Sequence, residues 1–154
     1  MAKRYSFTVL GRDPLSQNNR TRALLNTYSD DLCRAFGNCN PTTPVPLAPM
    51  IMDELYGKVY YFHKVKDKKD ADNLSKPLWD ALNEKLYDDD YQIKFRESAK
   101  LFADPLSTYG INVSNAEPKD YDVIVDFFLN PVCTATRLLY IEIGDFDCKM
   151  MKCL

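Results

Sequence analysis

The row Leu74, Leu78, Leu82 and Leu86, with Trp79 and Ala81 widening it, constrains this chain more than any other feature. Apolar residues at intervals of four make one stripe of a helix, and a stripe of that width has to be buried. The helix is expected to begin near Asp72 or Asn73 and to run to Tyr87. Pro77 then falls in roughly the first turn, where a missing amide does little harm because the early N–H groups lack intrahelical partners. Strand-like segments flank it. Met50 to Val65 is β-rich around Val59, Tyr60, Tyr61 and Phe62 and suits one long strand, or two joined near Gly57. Gln92 to Phe102 alternates Ile93, Phe95, Glu97, Ala99 and Leu101 with Lys94, Arg96, Ser98, Lys100 and Phe102, which reads as a half-buried strand with a basic outer face.

The remaining elements follow from the same periods. Tyr5 to Leu10 alternates as a strand closed by Gly11. Asn19 to Phe36 sets Leu24, Leu25, Tyr28, Leu32 and Phe36 on one helical face and is expected to stop at Gly37. The four prolines within 38–49 imply an extended connection. Val123 to Leu129 and Leu138 to Ile143 are two further strand candidates, separated by Pro131. At 154 residues the chain is one ordinary domain, able to bury roughly 70% of its unfolded surface.

Several chemistries are excluded. The five glycines are too widely spaced for a phosphate-cradling loop. The single histidine, His63, rules out a His-based zinc site. Five cysteines, odd in number and without CxxC spacing, suggest neither a disulfide framework nor a zinc ribbon. They point to reduced thiols, and with no signal peptide or membrane-length apolar run the protein is expected to be cytoplasmic.

The net charge of −2 hides an uneven distribution: sixteen basic against fourteen acidic residues through position 103, then two against eight from 104 to 147. Lys3, Arg4, Arg12, Arg20 and Arg22 face only Asp13 within residues 1–22, and Lys58, Lys64, Lys66, Lys68 and Lys69 face only Asp67 within 58–69. Two such patches can attract a polyanion although the whole molecule is slightly acidic.

Chemistry therefore falls to carboxylates, and they concentrate at the two ends of the leucine-rich helix. Asp70 and Asp72 are two residues apart, so in extended chain both point to one side and can share an ion. Capping of the helix start would account for one of them. Asp88, Asp89 and Asp90 follow the helix, where acidic side chains are mildly unfavourable. A hairpin-like excursion is expected to bring at least one of these beside the first pair. Carboxylates about 4 Å apart repel by about 4 kcal/mol per pair at an effective dielectric near 20, a conflict that a bound cation removes. Oxygen-only ligation selects a hard ion, Mg²⁺ or Mn²⁺. Lys76, one helical turn after Asp72, is placed to hold a phosphate oxygen.

These residues, K-K-D-A-D-N-L-S-K-P-L-W-D-A-L-N over 68–83 and L-Y-D-D-D-Y-Q-I over 86–93, closely resemble the signature of the RusA family of Holliday junction resolvases. The resemblance is specific over 68–93 and extends over roughly 1–129. It implies an α+β fold with a small mixed sheet packed against two main helices. It also implies a homodimer that cuts four-way junctions in DNA recombination and repair by paired phosphodiester hydrolysis. Carried over by motif position, Asp70, Asp72 and Asp90 hold Mg²⁺, with Mn²⁺ as substitute, Asp89 is their neighbour and Lys76 is the essential cation. Lys64, Lys66, Lys68, Lys69, Arg20 and Arg22 are the expected DNA contacts. Residues 1–129 are expected to form the nuclease domain and 130–154 an extension packed on it. The alternative reading is a branched-DNA binding module without turnover.

Overall fold

The computed structural model describes residues 4–43, 54–103 and 116–150. Four strands, β1 (Arg4–Leu10), β2 (Leu55–His63), β3 (Ile93–Phe102) and β4 (Arg137–Asp145), form one sheet in the order β1-β4-β2-β3. β4 is antiparallel to both β1 and β2, whereas β2 and β3 are parallel. Helices α1 (Arg22–Cys39) and α2 (Ala71–Leu82) pack on one face, around Phe7, Val59, Tyr61, Trp79, Leu139 and Ile141. Helix α3 (Pro118–Leu129) packs on the other, against Phe62, Leu138 and Tyr140. The expected α+β class with a mixed sheet is what the chain adopts, with a third helix added. No helix among the described residues is long and apolar enough to cross a membrane.

That third helix corrects the strand expected over Val123–Leu129. Pro118 sits at the helix start, where its fixed φ is already helical, and Asp120, Ile124 and Phe127 are buried at spacings of four and three. A helix seats Ile124 and Phe127 together on the sheet, which outweighs the β propensity of the valines and phenylalanines. Helix α1 runs through Gly37 to Cys39, because nothing crowds that glycine and the Asn40 amide closes the last turn on the Phe36 carbonyl. Leu24, expected on its buried face, is 45% exposed and lies off the row Tyr28, Leu32 and Phe36. The proline-rich connection lies outside the described residues beyond position 43.

The segment from 130 onward supplies β4, the strand hydrogen-bonded to both β1 and β2, so position 129 does not divide the fold. The basic row of β3 also differs from expectation. Arg96, Ser98 and Lys100 register with Gly57, Val59 and Tyr61, which places them on the α2 side of the sheet at its edge rather than on an outer face.

Helix α2 begins at Ala71, so Pro77 lies beyond its first turn and leaves the Asn73 carbonyl without its helical donor. The helix ends at Leu82, five residues earlier than the leucine row suggests. Leu86 nevertheless stays fully buried, because Glu84 turns the chain at φ 59° and the Lys85 and Leu86 amides both bond back to the Leu82 carbonyl. Ser29 on α1 donates to the Ala81 carbonyl at 2.6 Å and ties the two helices together.

Helix α2 is set on the sheet by a single close approach. Trp79 is fully buried, and a Cβ added at Gly57 would stand 2.4 Å from its Cζ2 atom. Glycine at 57 is therefore a packing requirement of the indole. Gly57→Ala is expected to cost about 1–3 kcal/mol of stability, as overpacking does. The loss should shrink in a Trp79→Phe background, which denaturant unfolding of the four chains in a double-mutant cycle would measure.

Candidate functional site

Chain leaving β2 at His63 reaches α2 through residues 64–70, and this short loop is held from three sides. The Lys64 amide donates to the Thr136 carbonyl at 2.8 Å and the Ala103 amide to the His63 carbonyl at 2.7 Å. From β3, the Lys100 ammonium donates to the carbonyls of Asp67 at 2.6 Å and Lys69 at 2.5 Å. Inside the loop, the Asp67 carboxylate accepts from the Tyr61 hydroxyl at 2.8 Å, the Lys69 amide at 2.9 Å and the Lys69 ammonium at 3.3 Å. Burial by itself would raise the Asp67 pKa. The Lys69 amide, the Tyr61 hydroxyl and the Lys69 charge outweigh it and hold the carboxyl at about 2.

The loop delivers Asp70 as the N-cap of α2, with extended backbone and no side-chain capping bond. Asp72 follows in the first turn, where the helix dipole favours a negative charge. Both are exposed, and among the described residues neither is hydrogen-bonded or ion-paired through its side chain. Asp70 lines a cleft of about 400 Å³ together with Lys66, Lys68, Lys69, Arg137 and Asn73, and residues Ser16, Asn18 and Asn19 close it from the β1–α1 connection. The second basic patch of the sequence thus lines the cleft together with Arg137, while the first contributes only polar residues of its segment.

At the other end of α2, Asp89 caps a short 3₁₀ turn, Asp90–Gln92, by accepting from the Tyr91 amide at 3.3 Å. Gln92 reciprocates by accepting from the Asp88 and Asp89 amides. Asp90 stands 3.9 Å from Arg96. This turn leads into Ile93, which registers with Leu55 at the start of β2, while the Asp70 loop is pinned to Lys100, which registers with Tyr61 near its end. Seven residues of β3 separate the two levels, roughly 23 Å of strand. The excursion through α2 therefore does not fold the second acidic group back onto the first. Among the described residues no three carboxylate, histidine or cysteine side chains lie where they could hold one metal ion. Asp70 and Asp72 are oxygen donors two residues apart at the start of α2, and Asp90 lies beyond its other end.

The expected cations are dispersed more widely than the sequence suggests. Lys66, Lys68 and Lys69 line the cleft. Lys64 turns away from it and lies 4.3 Å over the Phe127 ring. Arg20 and Lys76 converge on Asp80, at 2.6 and 3.3 Å, and Arg22 is exposed at the start of α1. His63 is buried beside the Tyr61 and Phe102 rings with Nδ1 2.7 Å from the Val65 carbonyl, which makes it a packing residue. Sequence reasoning missed Asp13, Asp67, Asp80, Lys100 and Arg137. The only signal for Asp13 and Asp67 was that each is the lone acid in its basic patch.

The structure thus sets an acid-tipped crossover helix beside a cleft lined by Lys66, Lys68, Lys69 and Arg137. A family model described as endodeoxyribonuclease RusA matches residues 51–112, the stretch that runs from β2 through α2 to β3 and carries both acidic groups. Over those residues the chain is similar to that family of endodeoxyribonucleases. No curated protein matches it.

Because Asp67 is held ionised, its contribution to stability is complete above the ordinary carboxylate value of 3.8 and is lost as pH falls through about 2. Between pH 4 and 2 the wild type should therefore lose stability more steeply than Asp67→Asn, as urea unfolding at stepped pH would show.

Proposed function

We propose that this chain is a metal-dependent endodeoxyribonuclease that resolves four-way DNA junctions by paired hydrolysis, working as a homodimer in DNA recombination and repair. The observation that carries this reading is the uncommitted Asp70 carboxylate, with Asp72 one step into the helix, at a cleft lined by Lys66, Lys68, Lys69 and Arg137. An acid between cations would be expected to pair with one of them, as Asp67, which lines the same cleft, does with Lys69. One that stays free beside them is available to a cation brought in with DNA.

In this reading Asp70 and Asp72 hold Mg²⁺, with Mn²⁺ as substitute, and Asp90 is the third oxygen donor. Because Asp90 sits at the far end of α2, the second protomer of a dimer would have to supply it to a shared ion. An ion held there would supply a nucleophilic water at neutral pH and offset charge developing on the phosphate. The protein's own groups position the strand. Lys66, Lys68 and Lys69 take backbone phosphates without reading sequence, and Lys76 exchanges its ion pair with Asp80 for a phosphate oxygen. Asp89 supports Asp90 by fixing the turn that carries it. A four-way junction has near two-fold symmetry, so a symmetric dimer presents one site to each of two opposed strands.

The test is a labelled synthetic four-way junction with and without Mg²⁺. Wild type should nick opposed strands only with the metal, and Asp72→Asn should lose cleavage by about 100-fold or more while still binding. A wild type that binds the junction without ever nicking it supports the binding-module reading instead. Asp72→Asn and Asp90→Asn chains, each inactive alone, should recover single-strand nicking when refolded together, because one of the two shared sites is then intact. A mixture that stays inactive would show that both acids act within one protomer.

A further inference from the structure

Arg137 belongs to β4, outside the segment matched by the family model, yet its side chain lines the same cleft as Asp70. Its backbone is clamped: the Gly11 amide donates to the Arg137 carbonyl at 2.8 Å, and the preceding Thr136 carbonyl accepts from Lys64 at 2.8 Å. The guanidinium Nε lies 3.2 Å from Asp13 Oδ1, and the Lys69 ammonium lies 2.9 Å from the same oxygen. Arg137 Nε is shielded from water yet makes no hydrogen bond, so the contact with Asp13 is an ion pair of poor direction. Two cations, one from the loop before α2 and one from β4, thus converge on a single carboxylate oxygen.

We propose that Arg137 and Lys69 form a seat for one backbone phosphate of the DNA, and that Asp13 occupies it as a stand-in anion until DNA arrives. This rests on the nuclease reading above and adds a contact to its site. Carboxylate and phosphate oxygens accept the same charge-assisted bonds, and a guanidinium suits either. The two sides differ in freedom. Lys69 and Arg137 sit on backbone fixed by Lys100 and by the strand ends, whereas Asp13 lies on the turn after β1 with its side chain half exposed. Asp13 can rotate into water without opening the core, and the cations stay in place for the incoming phosphate. A stability role explains the arrangement poorly, since partly exposed ion pairs contribute about 0–1 kcal/mol.

The experiment measures binding of the full chain to a labelled four-way junction in EDTA, between about 50 and 200 mM salt, where phosphate contacts set the slope of log K against log salt. Arg137→Gln should weaken binding about tenfold and lower that slope by about 0.9. Arg34→Gln, which removes a basic group 71% exposed on α1, controls for general charge loss and should stay within about twofold of wild type. Asp13→Asn should bind several-fold more tightly, since it removes the competitor and leaves both cations. Melting temperatures confirm that each variant is folded. Wild-type affinity and slope in Arg137→Gln would overturn the phosphate seat alone, and equal or weaker binding by Asp13→Asn would overturn the stand-in. Failure of wild type to bind any junction would overturn the nuclease reading along with both.

Discussion

Two parallel strands can be joined only by a crossover that returns the chain to the edge where it started, and this constraint governs the molecule. β2 and β3 are such a pair, and α2 is their crossover. The helix must begin at the edge where β2 ends and finish at the edge where β3 begins, so acids at its two ends are held apart by its whole length. Twelve helical residues amount to about 18 Å. No side-chain movement closes that gap. If Asp90 is to share an ion with Asp70 and Asp72, a second protomer has to supply it, and dimerisation then becomes a condition of the chemistry rather than an accessory to it. The contact of Trp79 with Gly57 enforces the arrangement by pressing the crossover onto the strand it leaves.

Around the start of that helix the electrostatics are built from single acids among cations. Asp67 is turned inward, accepts bonds from Tyr61 and Lys69, and shapes the loop. Asp80 gathers Arg20 and Lys76, and Asp13 gathers Lys69 and Arg137. Each of these acids lowers the mutual repulsion of neighbouring cations in the absence of DNA. They differ in exposure, from 4% at Asp67 through 13% at Asp80 to 50% at Asp13, so Asp13 has the most freedom to turn into water. Asp70 and Asp72 stand apart because they take no partner among the described residues.

Much of this is legible in the sequence, but unevenly. β1, β3 and β4 fell within a residue or two of expectation because period-two alternation is a local property. Helix α3 was misread because Val123, Val125, Phe127 and Phe128 favour strand locally, whereas the surface available to Ile124 and Phe127 belongs to other strands. The leucine row overran its helix because Leu86 keeps its burial through a turn rather than through another helical turn. Lys100 looked like a solvated surface charge, yet it ties the loop before α2, since the carbonyls it bonds lie some thirty residues upstream.

The amino-acid order by itself determined the class of fold, the family motif and the oxygen-donor chemistry at both ends of α2, because these depend on residue type and on spacings within one element. Only the tertiary structure decided which charges share a cleft. The parallel pairing of β2 with β3 sent Asp90 away from Asp70, and the placement of β4 between β1 and β2 brought Arg137 to Asp13 and Lys69. Strand order and direction arise from contacts between residues far apart along the chain, and no local period encodes them.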